Sequence, residues 1–336
     1  MDWNILGHEW AAQLLAQHIA RREVRHAYLF TGPPGVGRRT LALRFAQAIN
    51  CTQPPEAGQP CGKCRNCTHI ESLNHPDLIV VQPVDEDGNP SEGAALKINQ
   101  MRALQHSLSL APYEAQWKVA LLLRFQEATD EAQNALLKTL EEAPERVVLL
   151  LIADSAENLL PTIASRCEIL RLHPLPLQRL EQALQERWGV EAHQARLLAH
   201  LSGGRLGYAL RLQRNPTELE RRQAWLDDLL HLLSASRRAR LQYVDKENLK
   251  DREQLRPVLP VWQTFWRDVM LAANGSSVPL TNLDRQEDVL RVAAHVSPAA
   301  ARAYTADLEQ ACQRLEANVN PRLLAEVLLL DWPIIK

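Results

Sequence analysis

Nine residues, Gly32-Pro33-Pro34-Gly35-Val36-Gly37-Arg38-Arg39-Thr40, restrict the fold of this chain more than any other segment. Before them, Ala27 to Thr31 form a short apolar run that reads as a buried strand. After them, Leu41, Leu43, Phe45, Ala46 and Ile49 give residues 38–50 the spacing of a helix. Strand, glycine turn and helix in that order place backbone N–H groups at a helix N-terminus, where they can hold phosphate. Further strands are expected at 77–81, 118–123 and 147–153, each close to a helical segment, and Trp10, Leu14, Leu15 and Ile19 mark a helix before the first strand. Strands alternating with helices imply a parallel sheet covered on both faces.

The side chains of the loop depart from what its backbone suggests. The phosphate-loop pattern puts Lys where Arg38 stands and a magnesium-ligating Ser or Thr where Arg39 stands. Thr40 comes one residue late, which turns its hydroxyl by roughly 100° on a helix, so magnesium ligation is not expected. Nucleotide binding stays open at Gly32, Gly35, Gly37, Arg38, Arg39 and Thr40, because backbone amides and two arginines can still hold phosphate. Hydrolysis also needs acids at the end of a second strand, to hold magnesium and polarise the attacking water. The run Val119 to Leu123 is followed instead by Arg124-Phe125; Glu127, Asp130 and Glu131 fall later, where they cap or solvate the next helix.

Cys51, Cys61, Cys64 and Cys67 fall within one stretch rich in Pro, Gly and Cys, residues 51–67. Four thiolates suffice for a closed tetrahedral site, so a structural zinc ion is expected, with an iron–sulfur cluster or a redox pair as alternatives. Lys63, Arg65 and Arg39 are candidates to offset the thiolate charge. Cys167 and Cys312 are expected to be ordinary buried thiols. His75-Pro76-Asp77 reads as a turn leading into a strand rather than a metal or acid–base site.

With 336 residues the chain is long enough for about two or three domains. A formal net charge of −2 argues against a protein that coats nucleic acid by itself. No apolar run is long enough to span a membrane, and Met1-Asp2-Trp3-Asn4 lacks the features of an export signal, so a cytoplasmic location is expected. Beyond about residue 170 the pattern turns helical, with Pro174 and Pro176 near a boundary. Helices are expected over 178–188, 191–201 and 208–212, then a linker at Arg214-Asn215-Pro216, then helical runs broken at 274–277 and 296–298. Trp225, Trp262, Trp266 and Trp332 are expected to pack helices.

Four further segments carry a family resemblance. Asn134-Ala135-Leu136-Leu137-Lys138-Thr139-Leu140-Glu141-Glu142, with Pro144 after it, resembles the helix that trails the second strand in bacterial clamp loaders, which belong to the AAA+ phosphate-loop ATPases. Ser165-Arg166-Cys167 is similar to that family's Ser-Arg-Cys motif, and Asn318-Val319-Asn320-Pro321-Arg322-Leu323-Leu324 to the helix start of its collar. The resemblance implies an AAA+ domain over 1–172, a small helical lid over 173–213 and a helical collar over 214–336 that packs into a ring of five subunits. It implies that Arg166 serves, in trans, the ATP site of a neighbouring subunit. Counted along the family's pattern, the magnesium Asp falls on Leu123 and the catalytic Glu on Arg124, both replaced. Near Ser202-Gly203-Gly204-Arg205-Leu206-Gly207, Gly207 aligns with the family's nucleotide-sensing arginine, and a shifted alignment would use Arg205. Loss of both the loop Lys and the acid pair with a retained Ser-Arg-Cys resembles the delta-prime pattern within DNA polymerase III. The implied partners are gamma or tau, delta, the sliding clamp and primed DNA. The alternatives are an active ATPase using Arg38 and Glu127 as substitute ligands, and a zinc-dependent nucleic-acid module on a vestigial nucleotide fold.

Overall fold

The computed structural model describes residues 3–85, 87–91, 94–246, 249–317 and 319–335. Met1, Asp2 and Asn318, used in the sequence reading, lie outside them. The chain divides into two compact units, Met1–Leu175 and Pro176–Lys336.

The first unit alternates helices and strands: α1 (Glu9–Ala20), β1 (Ala27–Thr31), α2 (Arg38–Asn50), α3 (Arg65–Glu71), β2 (Leu78–Val81), α4 (Ile98–Leu108), β3 (Lys118–Leu122), α5 (Asp130–Glu141), β4 (Val147–Ile152), α6 (Pro161–Ala164) and β5 (Glu168–Arg171). All neighbouring strands pair in parallel, in the order β2-β3-β4-β1-β5. Successive side chains of a strand face opposite sides of a sheet, so one strand feeds two cores. Tyr28, Phe30, Val148 and Leu150 pack with Leu15, Leu41 and Phe45 of α1 and α2. Leu29, Leu149 and Leu151 pack with Leu104 and Leu136 of α4 and α5. All six residues of β4 are buried, as expected of a parallel strand covered on both faces. The strands fall where the apolar runs placed them. One local difference is that α3 begins at Arg65, so the end of the cysteine stretch is already helical.

The second unit is all helical: α7 (Leu177–Trp188), α8 (Ala192–Ser202), α9 (Leu206–Arg214), α10 (Pro216–Ser234), α11 (Arg237–Lys246), α12 (Arg252–Ala273), α13 (Gln286–Ala293), α14 (Pro298–Glu316) and α15 (Pro321–Asp331). Its core is built on α12, from which Trp262, Phe265 and Trp266 are fully buried, and Trp262 meets Trp332 edge to face at 5.0 Å. The tryptophans thus pack helices, as expected. The expected linker around Asn215 is shorter than the sequence suggested. Helix α9 runs to Arg214 and α10 starts at Pro216, because proline at the first helical position lacks only an N–H that would have no partner there. Asn320 caps α15 through its side chain, which accepts from the Leu323 N–H. Among the described residues no helix is long and apolar enough to cross a membrane.

Candidate functional site

The glycine loop leaves β1 between the ends of its two neighbours in the sheet. The Gly32 N–H donates to the Asp154 carbonyl just beyond β4 at 3.0 Å, and the Leu172 N–H beyond β5 donates to the Thr31 carbonyl at 2.8 Å. Gly32 adopts φ 136°, and a Cβ there would lie 2.3 Å from the Leu172 carbonyl oxygen. Only glycine fits. Gly35 and Gly37 are also left-handed, and Gly37 is the N-cap of α2. The backbone is therefore that of a phosphate loop opening a helix.

Its side chains are placed otherwise. Arg38 Nη1 lies 2.6 Å from Asp154 Oδ1, and the arginine side chain is only 11% exposed. The cation standing at the lysine position is thus already neutralised by a carboxylate of the same unit. Arg39 and Thr40 are exposed. Asp154 escaped the sequence reading, although an acid directly after a buried strand beside β1 is the available signal.

At the end of β3, Leu123 is buried and Arg124 takes a left-handed turn, φ 51°. The Arg124 guanidinium donates to the Ser91 carbonyl, and its Nε lies 3.7 Å from Glu127 Oε2. The helix that follows is capped by Thr129, whose hydroxyl accepts from the Ala132 N–H, with Asp130 and Glu131 in its first turn. Both substitute ligands of the active-ATPase alternative, Arg38 and Glu127, therefore face charged partners within the chain.

Arg166 follows α6 with its side chain 35% exposed. Its Nη1 donates to the Thr162 carbonyl at 3.1 Å and its Nη2 meets Glu141 Oε1 at 2.7 Å. The acid is Glu141, at the end of α5. In the second unit, Arg205 Nε donates to the Ser202 carbonyl at 2.6 Å and its guanidinium lies 4.7 Å from the Tyr208 ring centre, while Gly207 sits inside α9.

The four cysteines meet. Their sulfur atoms all lie within 4.8 Å of one another, with Cys51–Cys64 at 4.0 Å and Cys61–Cys67 at 3.9 Å. Four thiolates about 2.3 Å from one tetrahedral ion would stand about 3.8 Å apart, so the donor set fits a single metal. The backbone helps: the N–H groups of Lys63 and Cys64 donate to Cys61 Sγ and that of Cys61 to Cys51 Sγ. Burial raises the Cys61 thiol, but these N–H donors outweigh it and bring it below its usual value. Burial likewise raises Cys64, and hydrogen bonds involving Thr52 and the Cys67 backbone overcome it, bringing it to about 6. Cys51 and Cys67 are pushed up by burial. Backbone amides, more than nearby cations, thus favour the thiolates; Arg65 lies 3.4 Å from Glu114 instead. The module is tied to α2, since Gln47 Nε2 donates to the Cys67 carbonyl and Asn66 Nδ2 to the Asn50 carbonyl. Cys167 and Cys312 are half-buried rather than buried, and burial still pushes the Cys167 thiol to about 12.

His75-Pro76-Asp77 does form a turn, with His75 Nδ1 accepting from the Asp77 N–H. Asp77 also does more, since its buried carboxylate accepts from the N–H groups of Tyr113, Glu114 and Ala115 at 2.7–2.9 Å. Burial raises its pKa and those three donors outweigh it, so the carboxyl titrates below its ordinary 3.8. A depressed acid contributes stability that is present above its ordinary pKa and lost as pH falls through the depressed value. Asp77→Asn is expected to cost about 2–3 kcal/mol at neutral pH. Urea titrations checking this should show wild type and variant converging once the pH drops below the ordinary carboxylate value.

A parallel sheet with a glycine loop opening a helix, a cluster of four cysteines whose sulfurs fit one metal, and a helical second unit define an AAA+-type fold. A family profile described as "DNA polymerase III, delta subunit" matches residues 7–176, and another, "DNA polymerase III, delta subunit, C terminal", matches residues 216–333. The chain is 31% identical over 320 residues to DNA polymerase III subunit delta' of Bacillus subtilis (strain 168), covering 95% of this chain and 94% of that protein. It is 36% identical over 200 residues to subunit delta' of Pseudomonas aeruginosa, covering 58% of each. Subunit tau of Escherichia coli (strain K12) is 34% identical over 214 residues, 62% of this chain but 32% of that one. Among solved structures, a gamma subunit-related protein from Thermotoga maritima superposes with a TM-score of 0.50 at 15% identity, covering 95% of this chain and 97% of that one, which supports the fold. The chain belongs to the delta-prime subunit family of bacterial DNA polymerase III.

Proposed function

We propose that this chain is a non-hydrolysing subunit of the clamp loader of DNA polymerase III, which works in the cytoplasm with gamma or tau and delta to place the sliding clamp on primed DNA. Its chemical contribution is Arg166, supplied in trans to the ATP site of a neighbouring subunit. The observation that carries this is a contrast within one unit. The strand end that should hold two acids carries Leu123 and Arg124, while Arg166 is held in a defined pose at the surface. A guanidinium stays charged, is planar and can neutralise charge on a transferred phosphoryl group, so an arginine outlasts the loss of a subunit's own site. The loop residues Gly32, Gly35, Gly37, Arg38, Arg39 and Thr40 then serve as a scaffold, with Arg38 neutralised by Asp154.

Within this reading the chain beyond residue 172 divides into a lid, 173–213, and a collar, 214–336. Helix α15 supports the collar assignment, since Leu323 and Val327, four residues apart on one helix face, are exposed, and Ile334 beyond it is exposed too. A helix packing into a ring needs an apolar face of that kind. The metal at Cys51, Cys61, Cys64 and Cys67 is zinc in a structural role, because four thiolates leave no open position for water.

The expected outcome is that the purified chain turns over no ATP, whereas Arg166→Ala in the reconstituted complex slows clamp- and DNA-stimulated hydrolysis. A magnesium-dependent ATPase assay on chain and complex checks both. Steady turnover by the chain alone would overturn the reading.

A further inference from the structure

Glu141 is the last residue of α5, a position where the helix dipole disfavours a carboxylate and favours a cation. Lys138, one turn earlier, follows that preference and Glu141 opposes it. Its carboxylate is nonetheless held, by Arg166 Nη2 at 2.7 Å. The other terminal nitrogen of Arg166 donates to the Thr162 carbonyl of α6 at 3.1 Å. The guanidinium thus lies between the end of one helix and the side of another, hydrogen-bonded through Nη1 to the Thr162 carbonyl and ion-paired through Nη2 with Glu141, with its side chain 35% exposed.

The two supports belong to one frame. Buried Gln133 of α5 accepts from the Leu160 N–H at the start of α6 and donates to the Ala128 carbonyl before α5. The two helices that carry Glu141 and the Thr162 carbonyl are thus tied to each other. A free arginine side chain loses rotamer freedom when it engages a phosphate, and one already held loses less. Glu141 lowers the net charge offered to the phosphate, and with its side chain 51% exposed solvent screens both that cost and the hold of the pair, so the orienting effect is of the small size expected of an exposed pair.

We propose that Glu141 is a positioning residue for Arg166, fixing the guanidinium against the Thr162 carbonyl in the pose from which it reaches a phosphate group bound by the adjoining subunit. This rests on the trans-arginine reading above, and the experiment separates the two. In a reconstituted complex where the subunit receiving Arg166 is the sole one competent for hydrolysis, Glu141→Ala is expected to lower kcat about three- to tenfold with KM for ATP unchanged. Glu141→Gln, which keeps an acceptor, is expected to recover part of the loss. In an Arg166→Ala background Glu141→Ala is expected to cause no further drop, and thermal unfolding of the Glu141→Ala chain should match wild type. A Glu141→Ala complex as fast as wild type or faster, or a loss that persists without Arg166, overturns the positioning role. Wild-type hydrolysis by Arg166→Ala overturns the trans-arginine reading itself, whereas a slow Arg166→Ala beside an intact Glu141→Ala overturns positioning alone.

Discussion

Chain purified with its metal is expected to release about one zinc ion per molecule under a strong chelator, and with it the order of residues 51–67. The expectation follows from what else holds that segment. Between the end of α2 and the start of α3 there is no regular element, and Cys67, fully buried, sits where a core residue would, with three sulfurs as its near neighbours. Structural zinc in small finger peptides contributes roughly 10–16 kcal/mol of apparent binding free energy, far above what a few hydrogen bonds supply. The ties through Gln47 and Asn66 and the Trp3 indole bond to the Gly58 carbonyl anchor the module at its rim, so the sheet should stay folded while the loop opens. The pH dependence has a definite sign. Metal binds thiolates; Cys51 and Cys67, raised by burial, must give up protons to bind, whereas Cys64 at about 6 gives up few at neutral pH. Acid therefore favours release, and the chelator concentration needed should fall as pH drops. Metal analysis with limited proteolysis reads both effects. Metal-free chain whose residues 51–67 resist protease as well as the loaded chain would show that the cysteines organise nothing through an ion.

What sequence spacing revealed and what it left hidden divide along a physical line. The phosphate loop, the cysteine module and the α15 cap are local, since their meaning lies in residues a few positions apart, where helical and turn periodicities operate. The partners that decide what those features can do come from far away. Arg38 meets Asp154 across 116 positions because the order β2-β3-β4-β1-β5 sets the ends of β4 and β1 side by side. Asp77 organises backbone 36 to 38 positions ahead because β2 and β3 are paired. Glu141 was visible inside a familiar helix pattern, yet its partner depends on how α6 lies against α5. The linker at Asn215 was overestimated for the opposite reason, since a proline that breaks a helix interior also starts one. Arg166 stood out only through a three-residue resemblance, because an isolated arginine carries no periodic signal.

Arg240→Met is expected to destabilise the helical unit by about 3–5 kcal/mol, through lost hydrogen bonds to a buried charge. Arg240 is 1% exposed, and among the described residues every hydrogen-bond partner of its side chain is a carbonyl. Nε donates to Leu232 at 2.9 Å, Nη1 to Leu329 and Trp332 at 2.8 and 2.7 Å, and Nη2 to Pro333 at 2.7 Å and Leu233 at 3.4 Å. These carbonyls belong to the end of α10 and to the end of α15 with the two residues after it, where helical carbonyls have no partner within the helix. Two helix ends, each carrying partial negative charge, converge on one cation, so no carboxylate is required to neutralise it. Burial lowers the guanidinium pKa, yet arginine stays charged at any working pH. Methionine would fill much of the volume but remove the guanidinium donors from five carbonyls, of which Leu232 and Leu233 still accept from the Ala235 and Ile335 N–H groups, and leave two like-signed helix ends facing each other. Lysine, with three donors and no planar fork, should recover only part of the loss. Trp332 lies at this junction and packs 5.0 Å from Trp262 and 6.0 Å from Trp266, so loosening α15 exposes indoles. Urea titration followed by tryptophan emission should therefore show an earlier red shift in Arg240→Met, with Arg240→Lys between it and wild type. Coincident curves for wild type and Arg240→Met would show that the two helix ends are held by packing alone.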